Sequence, residues 1–115
     1  MSTKISEAAI QRCIMDYLAA EHILAFRQNT GQAKMGERFV RFGVKGMADI
    51  LAFKNVGTQF EDGGVFVHPM IFWIEVKDSK GKQSEFQKSF QSQVEEHGHR
   101  YIVARSLDDV KEALR

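Results

Sequence analysis

The stretch Ile71-Phe72-Trp73-Ile74-Glu75-Val76-Lys77 decides how the rest of the chain is read. Four apolar residues in succession describe a strand buried on both faces. Such a run ordinarily ends before charges appear, yet Glu75 and Lys77 are built into its end. Side chains alternate across a strand, so these two point to the same side, about 7 Å apart, while Val76 turns away into packing. A carboxylate and an ammonium then share one partly buried pocket. The plain alternative is an ion pair that only ties off the strand, and the tripeptide alone does not choose between the two.

A second signal lies upstream, in Gly46-Met47-Ala48-Asp49-Ile50-Leu51-Ala52-Phe53. Asp49 opens another apolar strand directly after a glycine-containing turn, and it faces Glu75 if the two strands pair. Two carboxylates and a lysine would then converge. A hard divalent cation such as Mg²⁺ is held by a few oxygen ligands, with water and substrate phosphate completing its shell. The lysine suits the same chemistry, since it can polarise an attacking water and offset charge that builds on a phosphate.

Asp49 followed by Glu75-Val76-Lys77 resembles the Asp…Glu-x-Lys signature of the restriction-endonuclease-like nuclease superfamily. Glu7 with Gln11 in a first helix, Gly46-x-x-Asp49, Ser84-x-x-Gln87 after the lysine, and Gly98 before a last apolar strand narrow the likeness. Together they are similar to the VRR-NUC (virus-type replication-repair nuclease) domain, of the stand-alone viral or phage kind, from Glu7 to Val110. That pattern usually has proline before the aspartate, where this chain has Ala48, a departure that bears on the turn's rigidity more than on the chemistry. The resemblance implies an α/β domain with a central mixed sheet flanked by helices. It further implies Mg²⁺ or Mn²⁺ held by Asp49, Glu75 and the backbone carbonyl of Val76. Lys77 acts on water and transition state, and Glu7 and Gln87 join the active site. The implied substrate is branched DNA such as a four-way junction, cut by a homodimer with two equivalent sites.

At 115 residues the chain is expected to form one domain, 43% hydrophobic and 27% charged. One cysteine excludes an internal disulfide, and with no leader and no long apolar run the expectation is a soluble, intracellular protein without a membrane span. Cys13, within a helical apolar pattern, is read as a small core residue. The net charge of +1 does not advertise a nucleic-acid partner. Its distribution does more. From Arg27 to Lys54 six basic residues stand against two acidic ones, a local balance of +4 that leaves −3 for the rest. Arg27, Lys34, Arg38, Arg41 and Lys45, with Lys80 and Lys82 after the Glu75 strand, are the candidate DNA-backbone contacts. For Arg38 and Arg41 the alternative is that they merely solvate a strand edge.

Ile5, Ala9, Ile10, Cys13, Ile14, Tyr17 and Leu18 recur at helical spacing over about residues 4–20, with Glu7 in the first turns. A short strand follows at 23–26. Residues 29–37 lack periodicity and read as a loop, and 38–42 as a half-buried strand with Val40 and Phe42 inward. Residues 55–70 read as the connection of a hairpin. The four histidines lack metal-ligand spacing and are taken as structural or surface residues. A helix from Glu85 to about His97 turns Phe86, Phe90 and Val94 to the sheet, with Gly98 beyond its end. Ser84 and Gln87 form a capping box, a role that can coexist with a place in the site. A strand at 101–104 and a short terminal helix complete one mixed sheet. Two readings compete with a nuclease: a DNA-binding or assembly module that keeps the fold without cleavage, and a structural domain with a Glu75/Lys77 ion pair.

Overall fold

The first helix, α1 (Glu7–Ala20), begins where Ser6 turns its hydroxyl to accept from the Ala9 amide at 3.1 Å. Ile10, Ile14 and Leu18, four residues apart, form its buried stripe. The structure, a computed structural model, describes residues 5–28, 31–35, 38–42 and 44–115, with the backbone alone over 31–35 and 38–42. The remaining elements are β1 (Leu24–Arg27), β2 (Gly31–Met35), β3 (Arg38–Phe42), β4 (Ile50–Gln59), β5 (Val65–Val76), α2 (Glu85–Glu96), β6 (Arg100–Ala104) and α3 (Leu107–Ala113). Four strands form a mixed sheet in the order β1-β4-β5-β6. β1 and β4 and then β4 and β5 pair antiparallel, while β5 and β6 run parallel, joined by the α2 crossover that parallel pairing requires. The chain is therefore an α/β domain with a four-stranded mixed sheet flanked by three helices.

The alternation of β4, β5 and β6 sorts the two faces of the sheet. Ile50, Ala52, Phe72, Ile74, Val76, Ile102 and Ala104 are buried in one core with Ile14 and Leu18 of α1 and with Val110 and Leu114 at the chain's end. On the other face Trp73 meets Phe90 of α2 edge-on at 5.0 Å, and Phe90 meets Tyr101 at 6.2 Å. Phe90 and the buried Val94 thus make the expected stripe. Phe86 does not: it is 52% exposed, in the first turn of α2, with the Lys45 ammonium 4.2 Å from its ring centroid. Cys13 is also exposed rather than in the core. It lies about 100° round the helix from Ile14, off the buried stripe.

Two strand expectations change as well. Residues 31–35 are not loop but β2, paired with β3 from Gly31↔Phe42 to Met35↔Arg38 in a separate two-stranded sheet. Antiparallel pairing satisfies the backbone groups whether or not the side chains alternate, so periodicity carried no sign of it. The turn residues around it, and the Val40 and Phe42 side chains, lie outside the described residues. The connection between β4 and β5 is only 60–64, closed by the Phe60 amide on the Gly64 carbonyl at 2.8 Å and by Gly63 at φ 88°. Six pairs from Lys54↔Met70 to Gln59↔Val65 continue past the ends of β1 and β6 as a ribbon. Val56 and Met70 at its base pack against the core, but its outer part, with Val65, Phe66 and Val67 exposed, shows no hydrophobic alternation to read. Pro69 pairs with Asn55 of β4 but lies beyond the last β6 partner, so the other edge of β5 is open at this residue. The ribbon helps bring the radius of gyration to 16.4 Å, against about 13 Å usual at this length. Among the described residues no helix is long and apolar enough to cross a membrane.

Candidate active site

The β4/β5 register, Ile50↔Ile74, sets Asp49 opposite Glu75 at the end of the sheet. The Asp49 carbonyl accepts from the Gln28 amide at 2.7 Å, which ties its backbone to the end of β1. Its Oδ2 accepts from the Val76 amide at 2.6 Å. Gly46 docks the preceding turn on α2 so tightly that only a hydrogen fits: a Cβ there would lie 2.4 Å from the Phe86 carbonyl oxygen. Asp49 is thus held from both sides.

Glu75 is fully buried. Its Oε1 accepts from the Tyr101 hydroxyl at 2.5 Å and from Gln83 Nε2 at 3.0 Å. Among the described residues its Oε2 has no hydrogen-bond partner, and its ion-pair partner is Lys77 Nζ at 3.9 Å. A buried carboxylate oxygen left without a donor is costly, and Lys77 offsets part of that cost. Glu7 arrives from the first turn of α1, where its Oε1 accepts weakly from the Asp78 amide at 3.4 Å. A Cβ on Gly81 would touch both Lys77 Cδ at 3.2 Å and Glu7 Oε1 at 3.4 Å, so both side chains lie against that glycine.

The charges are consistent with one cluster. Burial raises the Asp49 carboxyl above its ordinary 3.8 and the negative charges of Glu7 and Glu75 add to the rise, against the lowering by the Val76 amide and Lys77. Tyr101 is pushed well above the ordinary phenol range by burial and by Glu75, and remains a neutral donor.

Glu7, Asp49, Glu75 and Lys77 therefore come together as the sequence suggested. Gln87 is placed in the cap: its side-chain oxygen accepts from the Ser84 amide at 2.9 Å, and Ser84 Oγ accepts from the Gln87 amide at 3.2 Å. The glutamine that reaches Glu75 is Gln83, which sequence reasoning missed along with Tyr101. Tyr101 was findable only through the parallel register Trp73↔Tyr101, which puts it on the Glu75 face; Gln83, in a loop, left no signal. Also missed was Arg105, whose Nη1 donates to the carbonyls of Asp78 at 2.6 Å and Gly81 at 2.7 Å. With Asp78 Oδ1 accepting from the Lys80 and Gly81 amides at 2.9 and 2.7 Å, this shapes the loop that carries Lys80 and Lys82.

Arg27, Lys80 and Lys82 are exposed. Lys45 lies over Phe86, and Lys54 of the same basic segment donates to the Leu114 carbonyl at 2.5 Å. The side chains of Lys34, Arg38 and Arg41 lie outside the described residues. His99 is structural, its Nδ1 accepting from the Ile71 amide at 3.2 Å.

Among the described residues no group of three or more His, Cys, Asp or Glu side chains gathers closely enough to hold a metal ion by itself. The donors present still suit Mg²⁺ or Mn²⁺, which bind through one or two carboxylates and leave the other positions to water and phosphate. The unpartnered Glu75 Oε2 is the observation that meets that requirement. Comparison of the chain with family models, with curated proteins and with solved structures finds no match in any of the three.

Proposed function

We propose that this domain is a divalent-metal-dependent DNA endonuclease with a restriction-endonuclease-like fold, similar to VRR-NUC domains, that hydrolyses phosphodiester bonds. The observation that carries the reading is the buried Glu75 oxygen without a partner, set beside Lys77 and opposite Asp49. Asp49 and Glu75, with the Val76 carbonyl, would hold Mg²⁺ or Mn²⁺. The ion, when bound, supplies Lewis-acid stabilisation of the phosphate and a more acidic water.

The chain's own residues do the rest. Lys77, mostly withdrawn from solvent, orients the attacking water and offsets negative charge on the phosphate in the transition state. Glu7 adds a third carboxylate on the open side, where it can take the water's proton or steady a ligand. Val76 turns its amide to Asp49 and so fixes the distance between the two acidic strand ends. Lys80 and Lys82, exposed on a loop held by Arg105, and Arg27, exposed at the end of β1, would contact the DNA backbone. Branched DNA such as a four-way junction is the substrate proposed, cut by a two-fold homodimer. A DNA-binding or assembly module without cleavage has no use for the orphaned Glu75 oxygen beside a lysine.

Cleavage of linear, flap and four-way DNA with Mg²⁺ or Mn²⁺ tests the reading. Lys77→Ala is expected to slow single-turnover cleavage by about 10²-fold or more while the divalent-dependent rise in melting temperature persists. Wild-type rates in Lys77→Ala would leave the lysine as a structural partner of Glu75 and sink the assignment.

A further inference from the structure

The Glu75 carboxylate is asymmetric. Both hydrogen bonds that reach it end on Oε1, from Tyr101 and Gln83, and each donor is itself held in place. The second proton of the Gln83 amide goes to Gln91 Oε1 at 2.8 Å, which anchors that amide to α2. The Tyr101 ring stands against Phe90 at 6.2 Å, and Phe90 stands edge-on to Trp73 at 5.0 Å, so the phenol has little freedom to turn. To offer both oxygens outward, the fully buried Glu75 would have to abandon two partly buried donors, and leaving them unsatisfied is costly. Only Oε2, on the Lys77 side, remains available.

That constraint bears on which ion the site accepts. Ca²⁺ takes six to eight oxygens in flexible geometry and often binds a carboxylate through both of them, whereas Mg²⁺ demands a near-octahedral set and retains several waters. We propose that Tyr101 and Gln83 are positioning residues which saturate Glu75 Oε1, limit Glu75 to one-oxygen coordination, and thereby bias the site toward a small octahedral cation over Ca²⁺. The inference rests on the metal-dependent reading above and adds to it the origin of ion selectivity.

Calorimetric titration of the metal-free protein with MgCl₂, MnCl₂ and CaCl₂, without DNA, reads the effect as a ratio of dissociation constants. Tyr101→Phe keeps the ring and removes the hydroxyl, and Gln83→Met keeps the length and removes the amide. In either variant the ratio Kd(Ca²⁺)/Kd(Mg²⁺) is expected to fall by about fivefold or more, because a freed Oε1 helps Ca²⁺ more than Mg²⁺. A merely structural role would weaken both ions alike and leave the ratio unchanged, and that result in a folded variant overturns the inference alone. If Tyr101→Phe fails to fold, the Gln83→Met ratio decides in the same way. Wild-type protein that binds none of the three ions would overturn this inference together with the metal-dependent reading.

Discussion

Replacing Gly46 by alanine should cost more than its one methyl group suggests, and the structure separates the cost into two parts. The first is conformational: Gly46 has φ 87°, a left-handed value that an L-residue adopts at a cost of about 1–2 kcal/mol. The second is steric. The added Cβ would stand 2.4 Å from the Phe86 oxygen and 2.5 Å from the Phe86 carbonyl carbon, backbone atoms of α2 that cannot rotate away. Reaching ordinary contact requires the turn or the helix to retreat by about 1 Å, and overpacking of this kind costs roughly 1–3 kcal/mol. The sum, about 2–5 kcal/mol, lowers the melting temperature by on the order of 10–20 °C in a domain of this size. Gly63 supplies the control, because its φ is 88° but a Cβ there meets nothing within 4 Å. Gly63→Ala should therefore lose only the conformational part, about 1–2 kcal/mol. Thermal unfolding by circular dichroism compares the two. The 2.6 Å bond from the Val76 amide to Asp49 depends on the same turn, so Gly46→Ala should also depress cleavage at temperatures where it is still folded. Equal melting temperatures for the two variants would refute the steric argument.

Metal-free Asp49→Asn should remove a pH dependence. The native Asp49 carboxyl sits above its unfolded 3.8, so the native state binds that proton more tightly, and its contribution is fully present below 3.8 and lost as pH rises through the native value. Urea unfolding across that window should show wild type losing stability relative to Asp49→Asn, and a constant difference would contradict the cause assigned. Arg105→Ala removes two backbone contacts of the 78–82 loop, so hydrogen exchange at Lys80 and Gly81 should quicken while the global melting temperature shifts by only a few degrees. Protection unchanged there would mean the Asp78 turn suffices alone. Lys80→Ala with Lys82→Ala should reduce the slope of log K against log salt for duplex DNA by about 0.9 per lost phosphate contact, with turnover at saturating DNA retained. An unaltered slope would place the DNA elsewhere.

The strand end carrying Glu75 and Lys77 was legible because charge interrupts an apolar run, and Asp49 because it follows a glycine turn into another such run. These signals are local. What the sequence concealed depends on pairings between distant segments: Tyr101 reaches Glu75 only through the parallel β5/β6 register, and Gln83 through a loop whose path no periodicity describes. β2 was hidden because a two-stranded sheet needs backbone pairing and little else. The outer part of the ribbon was hidden because apolar residues exposed on successive positions, Val65, Phe66 and Val67, remove the alternation by which strands are recognised. Cys13 and Phe86 were misplaced by periodicity itself, which marks a stripe without showing where its edge falls. Capping chemistry, by contrast, was read correctly at Ser84 and Gln87, since it is set within four residues.

The β5-α2-β6 crossover has a consequence for the order in which the molecule assembles. Glu75 and Tyr101 are 26 residues apart, and they meet only after the intervening helix has packed and β6 has found its parallel partner. Parallel pairing must close a long loop before any contact rewards it, which makes such units slow to form. Until then Glu75 sits in a forming core without the Tyr101 donor, a state that opposes burial of the strand end. Partly folded chains are therefore penalised at a fully buried carboxylate. That coupling should make unfolding more cooperative across β5 and β6, because the Glu75–Tyr101 bond is kept only while the two strands stay paired.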